Sequence, residues 1–374
     1  MIYFDNNATT PLAKEVKDEM ASCFDIFGNP SSLHVEGQRS RQVIDTARKR
    51  VADFIGARPE EIVFTGSGTE ADNIAVTGYA LSEPDGAIIT TAIEHSAVLK
   101  PVCRLEESGR TVIKLLPDGD GEINAKDSAS AIRSLNKGLL TIMMANNETG
   151  VIQPIKELAA VAKEQGLLVH TDAVQAAGKI PLNVDELGVD MLSISAHKFH
   201  GPKGIGALYI RGGVKVSPVH LGGTQEHAMR PGTENILAIA GLGKACELAG
   251  QHLCDSRLRD MFEEMILASV PDSFVNGKDA LRVPNTSNIG FKGLENQAIV
   301  INLDLENIAA STGAACSAAK KEASHVLTAM CMSSAEARSS VRFSFSRYNT
   351  EEEIVQAVAK IGEVVGRMRK RLAK

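Results

Sequence analysis

Short apolar runs recur through the first two thirds of the chain, and each ends abruptly in a polar cluster. EIVFTGSGTEADN reads as a buried strand, a glycine turn and a helix. GAIITTAIEHSAV, LLTIMMANNETG, LLVHTDAVQ and the run at 189–194 repeat the strand with a polar end, and helical spacing fills 155–165 between two of them. Strands that alternate with helices predict an α/β fold, a mostly parallel sheet with helices on both faces. Short strands are expected at 2–4 and 207–211, and a helix at 13–24 behind Pro11. At 35–55, Val43, Ile44, Ala47, Val51 and Phe54 form the apolar side of a helix whose other side is basic. Helical spacing runs from 236 to about 268 with an interruption near 251. Pro271 and the turns VNGKD and RVPNTSN then open a region of shorter strands and helices. A domain break is therefore expected between about 250 and 270, with a smaller α+β domain beyond it.

At the carboxyl ends of parallel strands, side chains face the crevice where ligands bind. Lys198 follows such a run in SISAHKFHGPKGIG, after Ser195 and His197. An unprotonated lysine amine attacks a carbonyl to form a Schiff base; an ordinary exposed strand-end lysine, as Lys203 reads, is the plain alternative. Asp172 and Gln175 end another run, and a carboxylate there needs a cationic partner. The protonated pyridine nitrogen of pyridoxal phosphate is one, with a lysine to carry its aldehyde. Gly66 and Gly68 let the backbone approach an anion at a helix start, where Thr69 and Asp72 have capping-box-like spacing. With Ala71 the same glycines satisfy the loose dinucleotide fingerprint, and Glu94 stands where a ribose-binding acid would. An NAD-dependent oxidoreductase is thus the alternative, and both readings share a phosphate cradle. His95 reads either as a structural histidine or as a ring that stacks on a planar cofactor and shuttles protons. Asn147 sits at the tip of a further polar turn.

Composition narrows the classes. The 374 residues, 44% hydrophobic and 23% charged, suit a globular protein of two domains. A net charge of −6 argues against general affinity for nucleic acid or anionic membranes, and the closing GRMRKRLAK reads as a solvated helix end. No apolar run is long enough to span a bilayer and MIYFDNNATTPL lacks a secretory pattern, so a cytoplasmic location is expected. Six cysteines without metal-type spacing read as reduced thiols rather than disulfides or zinc ligands. Around Cys316, STGAACSAA holds almost only small residues and predicts a surface loop, where a cysteine is either an inert thiol or a nucleophile. Arg342, in SSVRFSFSR, has the fork that suits a substrate carboxylate; an outward salt bridge is the alternative, and fits Arg347 better.

YFDNNATTPL, GNPSSLH, FTGSGTEADN, EHSAV, NNETGVIQPI, HTDAVQAAGK, SAHKFHGPKGIGALY, RPGTEN, STGAACS and SSVRFSFSR follow one another almost end to end. In this the chain resembles the cysteine desulfurases of the NifS/IscS type, pyridoxal-phosphate enzymes of the aspartate aminotransferase fold group (fold type I). The resemblance implies a large cofactor-binding domain at 15–255, and a small domain of 1–14 and 256–374 carrying the Cys316 loop. It implies that Lys198 holds the cofactor as a Schiff base, Asp172 faces the pyridine nitrogen and His95 stacks on the ring. Gln175 would reach the phenolic oxygen, and Gly68, Thr69, Ser195 and His197 the phosphate. Asn147 and Arg342 would hold the substrate carboxylate, and Cys316 would take the sulfur of L-cysteine as a persulfide. Thr233, in the RPGTEN loop, would reach the phosphate of a neighbouring subunit, which implies a homodimer. A sulfur-acceptor protein such as an Fe–S scaffold is the implied partner, and a selenocysteine lyase or another relative that uses the same cofactor is the nearer alternative. The loop STGAACSAAKKEAS and the ending SFSR depart from the usual family pattern.

Overall fold

The computed structural model describes residues 1–251, 253, 255–313 and 323–372. A two-residue strand, β1 (Ile2–Tyr3), opens the chain. The main sheet is built from β2 (Ile62–Thr65), β3 (Ala87–Thr91), β4 (Val112–Leu115), β5 (Gly138–Met143), β6 (Leu168–Asp172), β7 (Met191–Ser195) and β8 (Gly206–Ile210). Their order is β2-β8-β7-β6-β5-β3-β4, and β8 runs antiparallel to both of its neighbours while the other pairings are parallel. The mostly parallel α/β fold expected from the alternating pattern is what forms.

Consecutive residues of each strand enter opposite cores, because side chains alternate across the sheet. Ile89, Leu140, Leu192 and Ala207 pack under the helices Val35–Ile55, Ile155–Glu164 and Ile236–Gln251. Ile88, Leu139, Met191 and Leu208 pack on the other face, with Ile74 and Val102 of the helices Gly68–Ser82 and Ser96–Glu107. Burying both faces explains why these strands read as continuous apolar runs. It also sets the carboxyl ends of β3, β5, β6 and β7 along one edge of the sheet.

Beyond the helix Arg257–Ser269 lie β9 (Ser273–Val275), β10 (Thr286–Phe291), β11 (Ile308–Ala309) and β12 (Ser340–Ser344). β10 is the centre of an antiparallel sheet between β12 and β9, and β1 pairs parallel with β11. A separate core gathers Phe262, Ile289, Phe291, Val341, Phe343 and Ile361, together with Ile2 and Phe4 from the start of the chain. The turn after β1 therefore lies between the two cores. Its backbone and side chains bind partners from both, through Thr10 to His197 O at 3.0 Å and Asn7 N to Ser344 Oγ at 2.8 Å.

Candidate active site

A cavity of about 260 Å³ opens at the carboxyl edge of the main sheet. Gly68, Thr69, His95, Asn147, Asp172, Gln175, Ser195, His197, Lys198 and Arg342 all line it. Residues more than 250 positions apart in the chain are thereby brought to one place. Two of the expected residues are not among them. Thr233 is exposed and belongs to a second cavity of about 200 Å³, with Gly66 and Arg230. Cys316 lies outside the described residues.

One end of the cavity is the start of the Gly68–Ser82 helix. Its cap is Ser67, whose hydroxyl accepts from Glu70 N at 3.1 Å, and not Thr69 as the Thr69–Asp72 spacing suggested. The earlier start turns Asp72 inward to line the cavity and leaves Thr69 exposed at the rim. Free N–H groups and the helix dipole favour an anion there. A Cβ on Gly68 would lie 2.7 Å from Val174 Cγ2 and 3.1 Å from Ser195 Cβ, so only glycine lets the helix start come this close to β7. His197 stands on the same side, its Nδ1 3.2 Å from Thr9 Oγ1. Burial pushes that imidazole down to about 4, so it is neutral near pH 7.

Asp172 ends β6, is 6% exposed, and accepts from Val174 N at 2.9 Å through Oδ1. Burial raises its pKa, while His95 and Lys198 pull it back toward ionisation. His95 caps the Ser96–Glu107 helix by accepting from Ala97 N at 3.2 Å through Nδ1, which leaves Nε2 as the protonated nitrogen of the neutral ring. Burial lowers the His95 pKa, with Asp172 opposing. Gln175 donates to Asn7 O at 3.0 Å and accepts from Lys179.

Lys198 follows β7 in a single helical turn, and its Nζ donates to Asn7 O at 2.7 Å and Ala8 O at 2.9 Å. Arg342 projects from β12 and is 2% exposed. Its Nη2 pairs with Asp5 Oδ1 at 2.8 Å and its Nη1 donates to Asn147 O at 2.9 Å, but its Nε is buried without a hydrogen-bond partner. Arg342 lines the cavity, where a guanidinium can meet an incoming carboxylate.

The alternative dinucleotide geometry is not realised. Glu94 is fully buried and does not line the cavity; its Oε1 accepts from Thr91 Oγ1 at 2.7 Å and Met143 N at 3.0 Å. An acid pointed into the sheet cannot bind a ribose in the cavity.

Several contributors went unread in the sequence. Asn7 is 1% exposed and joins Thr286 Oγ1 (2.9 Å), Asn147 O (3.2 Å) and Lys179 Nζ (2.9 Å). The only signal for it was a polar run, DNNATT, without the glycine of a simple turn. Asp72 was legible only as a capping residue. Glu148 is also buried, and its Oε2 accepts from Ser324 Oγ at 2.6 Å.

The residues present fit pyridoxal phosphate. Together they offer an anion cradle at the start of the Gly68–Ser82 helix, a buried carboxylate for a cationic ring nitrogen, a lysine for the aldehyde and a guanidinium at the wall. Comparison with known proteins agrees. The chain is 47% identical to a cysteine desulfurase of Trichormus azollae over 99% of this chain and 94% of that protein. It is 42% identical to the cysteine desulfurase NifS of Azotobacter vinelandii over 98% of this chain and 93% of that one. A solved NifS-like protein superposes with a TM-score of 0.91 at 35% identity, over 98% of this chain and 99% of its own. A structure described as SspA in complex with cysteine superposes with a TM-score of 0.83 at 37% identity, over 94% and 100%. The family model of class-V aminotransferases matches residues 2–357, and the chain belongs to that family.

Proposed function

We propose that the chain is a pyridoxal-phosphate-dependent cysteine desulfurase, which converts L-cysteine to L-alanine and passes the sulfur to Cys316 as a persulfide for an Fe–S scaffold or another acceptor. The observation that carries this reading is the convergence of the Gly68 cradle, Asp172, Lys198 and Arg342 on one cavity. When bound, the cofactor supplies an electron sink next to the substrate Cα.

The chain's own residues do the rest. The helix start at Gly68, with Thr69, Ser195 and His197, would hold the phosphate, and Asp172 the ring nitrogen. His95 would cover the ring and Gln175 would reach its oxygen. Lys198 would hold the cofactor's aldehyde and would move the Cα proton at Nζ, with His95 Nε2 as the second proton carrier. Arg342 and Asn147 fix the substrate carboxylate, which sets the direction of the Cα–H bond. Cys316 as thiolate attacks the substrate sulfur: an S–S bond forms, the Cβ–S bond breaks, and its electron pair, after protonation, leaves alanine.

A homodimer belongs to this reading. Thr233 is exposed and outside its own chain's main cavity, free to reach a second copy. Phe24, Phe27, Leu33 and Leu221 are 70–92% exposed and would be covered there. Two main cores support a division into a domain of 15–255 and one of 1–14 with 256–374: the first lies mostly within 15–255, apart from Ala13 and Val283, and the second within the remainder. No described helix is long and apolar enough to cross a membrane, and Cys23, Cys103, Cys246 and Cys331 are free thiols, in keeping with a reducing cytoplasm.

The test is the visible spectrum of the purified protein before and after L-cysteine, with Lys198→Ala alongside. A cofactor band that shifts with cysteine, is altered in the variant, and is accompanied by alanine supports the reading. A protein that takes up no pyridoxal phosphate refutes it.

A further inference from the structure

Asp72 and Asp172 line the same cavity, and Asp72 is 1% exposed. The two carboxylates are not equivalent. Asp172 has the Val174 N–H at 2.9 Å and the neighbouring Lys198 and His95. Among the described residues, the groups acting on Asp72 are the Ser193 hydroxyl, the Asp172 and Glu94 carboxyls, and the ring of His170. His170 Nε2 lies 3.6 Å from Asp72 Oδ1, and that oxygen has no hydrogen-bond partner.

The ring brings no charge. His170 is fully buried on β6, held at Nδ1 by Thr141 Oγ1 (2.8 Å) and at Nε2 by Ser193 Oγ (3.0 Å). Burial pushes it down to about 3, so it stays neutral at any physiological pH. Two buried carboxylates on one cavity wall repel each other, and only the one with cationic company keeps its charge.

We propose that Asp72 and Asp172 form a carboxyl dyad that keeps one proton, held on Asp72, so that Asp172 alone presents charge to the cofactor. Burial and the Asp172 charge both raise the Asp72 pKa, in the same sense. The dyad then carries a single negative charge, which matches a single ring cation. A second charge would be buried without compensation. Asp72 is thus a positioning residue that acts through Asp172. Ser193 and His170 form the polar shelf that receives its acid group, which gives those fully buried strand residues a purpose beyond packing.

The consequence for the cofactor rests on the function proposed above, but the proton does not. Infrared difference spectra between H₂O and D₂O, on the full chain with cofactor bound and after its removal, report protonated carboxylic acids directly. At pH 7 the protonated Glu94 already contributes a carboxylic C=O band, and a second, separate component is expected that disappears in Asp72→Asn in both forms. In Ser193→Ala, a second variant should Asp72→Asn fail to fold, that component should move in frequency without vanishing. Asp72→Asn exchanges one neutral group for another, so its affinity for pyridoxal phosphate should stay within about threefold of the native protein. A spectrum unchanged by Asp72→Asn, a second component unmoved by Ser193→Ala, or a tenfold or greater change in cofactor affinity in Asp72→Asn overturns the dyad. A chain that binds no cofactor yet loses that component in Asp72→Asn keeps the dyad and refutes only the proposed function.

Discussion

Replacing Arg342 by lysine keeps the positive charge and removes the fork. In the cavity, Arg342 commits Nη2 to Asp5 Oδ1 at 2.8 Å and Nη1 to Asn147 O at 2.9 Å, and its buried Nε is unmatched. A substrate carboxylate in the cavity would be met by the fork of the Arg342 guanidinium. Lysine is able to keep the Asp5 pair but offers a point charge without a planar face. Hydrogen bonds to a charged partner are each worth about 1.5–3 kcal/mol, so losing one such contact should lower kcat/KM for L-cysteine about 10- to 150-fold. The control is cysteamine, which is cysteine without the carboxylate. It has no such contact to lose, so its turnover, however slow, should be almost unchanged between the native protein and Arg342→Lys. Melting temperatures and bound-cofactor spectra of the two proteins confirm that the fold and the cradle survive. Equal losses for cysteine and cysteamine, or none for either, would refute the carboxylate role and leave Arg342 as a purely structural partner of Asp5.

Cys316→Ser should leave the cofactor spectrum and cysteine binding intact while lowering desulfuration by about 100-fold or more, since a hydroxyl is a far weaker sulfur nucleophile at neutral pH; alanine assay and mass spectrometry for the protein persulfide check this. In Gly206→Ala the new Cβ would meet Ile194 O at 2.7 Å, Ser67 C at 2.7 Å and Gly68 N at 2.9 Å, all backbone. The cradle or the β7–β8 register must give way, at about 1–3 kcal/mol of stability by denaturant titration, with weaker cofactor binding. Burial pushes the Glu94 carboxyl up from its ordinary 4.5 to about 8. The folded chain therefore keeps a proton that the unfolded chain releases between those values, and stability falls as pH rises through that window. Glu94→Gln retains an acceptor for Thr91 and Met143 N without titrating, so melting temperatures between pH 5 and 8 should decline less steeply than in the native protein. An equally steep decline would show that Glu94 does not titrate there.

Much of the large sheet was legible because its strands are buried on both faces and flanked by glycine and polar turns. VDMLSIS and LLVHTD need no partner to be recognised as strands. The strand-end rule then led to Lys198 and Asp172, since polar residues just past a buried strand have few other places to face. What stayed hidden depends on long-range approach. Asn7 looks like turn chemistry until Thr286 and Lys179, 279 and 172 positions away, are brought to its side chain. Asp72 carried the wrong meaning, because a capping residue and a buried acid differ by a shift of two residues in where the helix begins. Thr233 was reachable only through family resemblance; among the described residues it does not line the main cavity.

The position of Asn7 bears on how the site is held together. Lys198 and Gln175 come from the large sheet, Arg342 and Thr286 from the second core, and the turn after β1 touches all of them. Asn7 O receives Lys198 Nζ and Gln175 Nε2, while its side chain binds Thr286 and Asn147 O. Asp5 completes the set through Arg342. Lys198 and Arg342 thus belong to different cores but share one short turn as their reference frame. A relative shift of the cores would move the amine and the guanidinium apart, and near-attack geometry tolerates little of that. A substrate that bonds Lys198's partner group at one end and Arg342 at the other ties the two cores together when it binds. The chain's first ten residues, which contribute only Ile2 and Phe4 to a core, are therefore better understood as part of the catalytic apparatus than as a terminal strand.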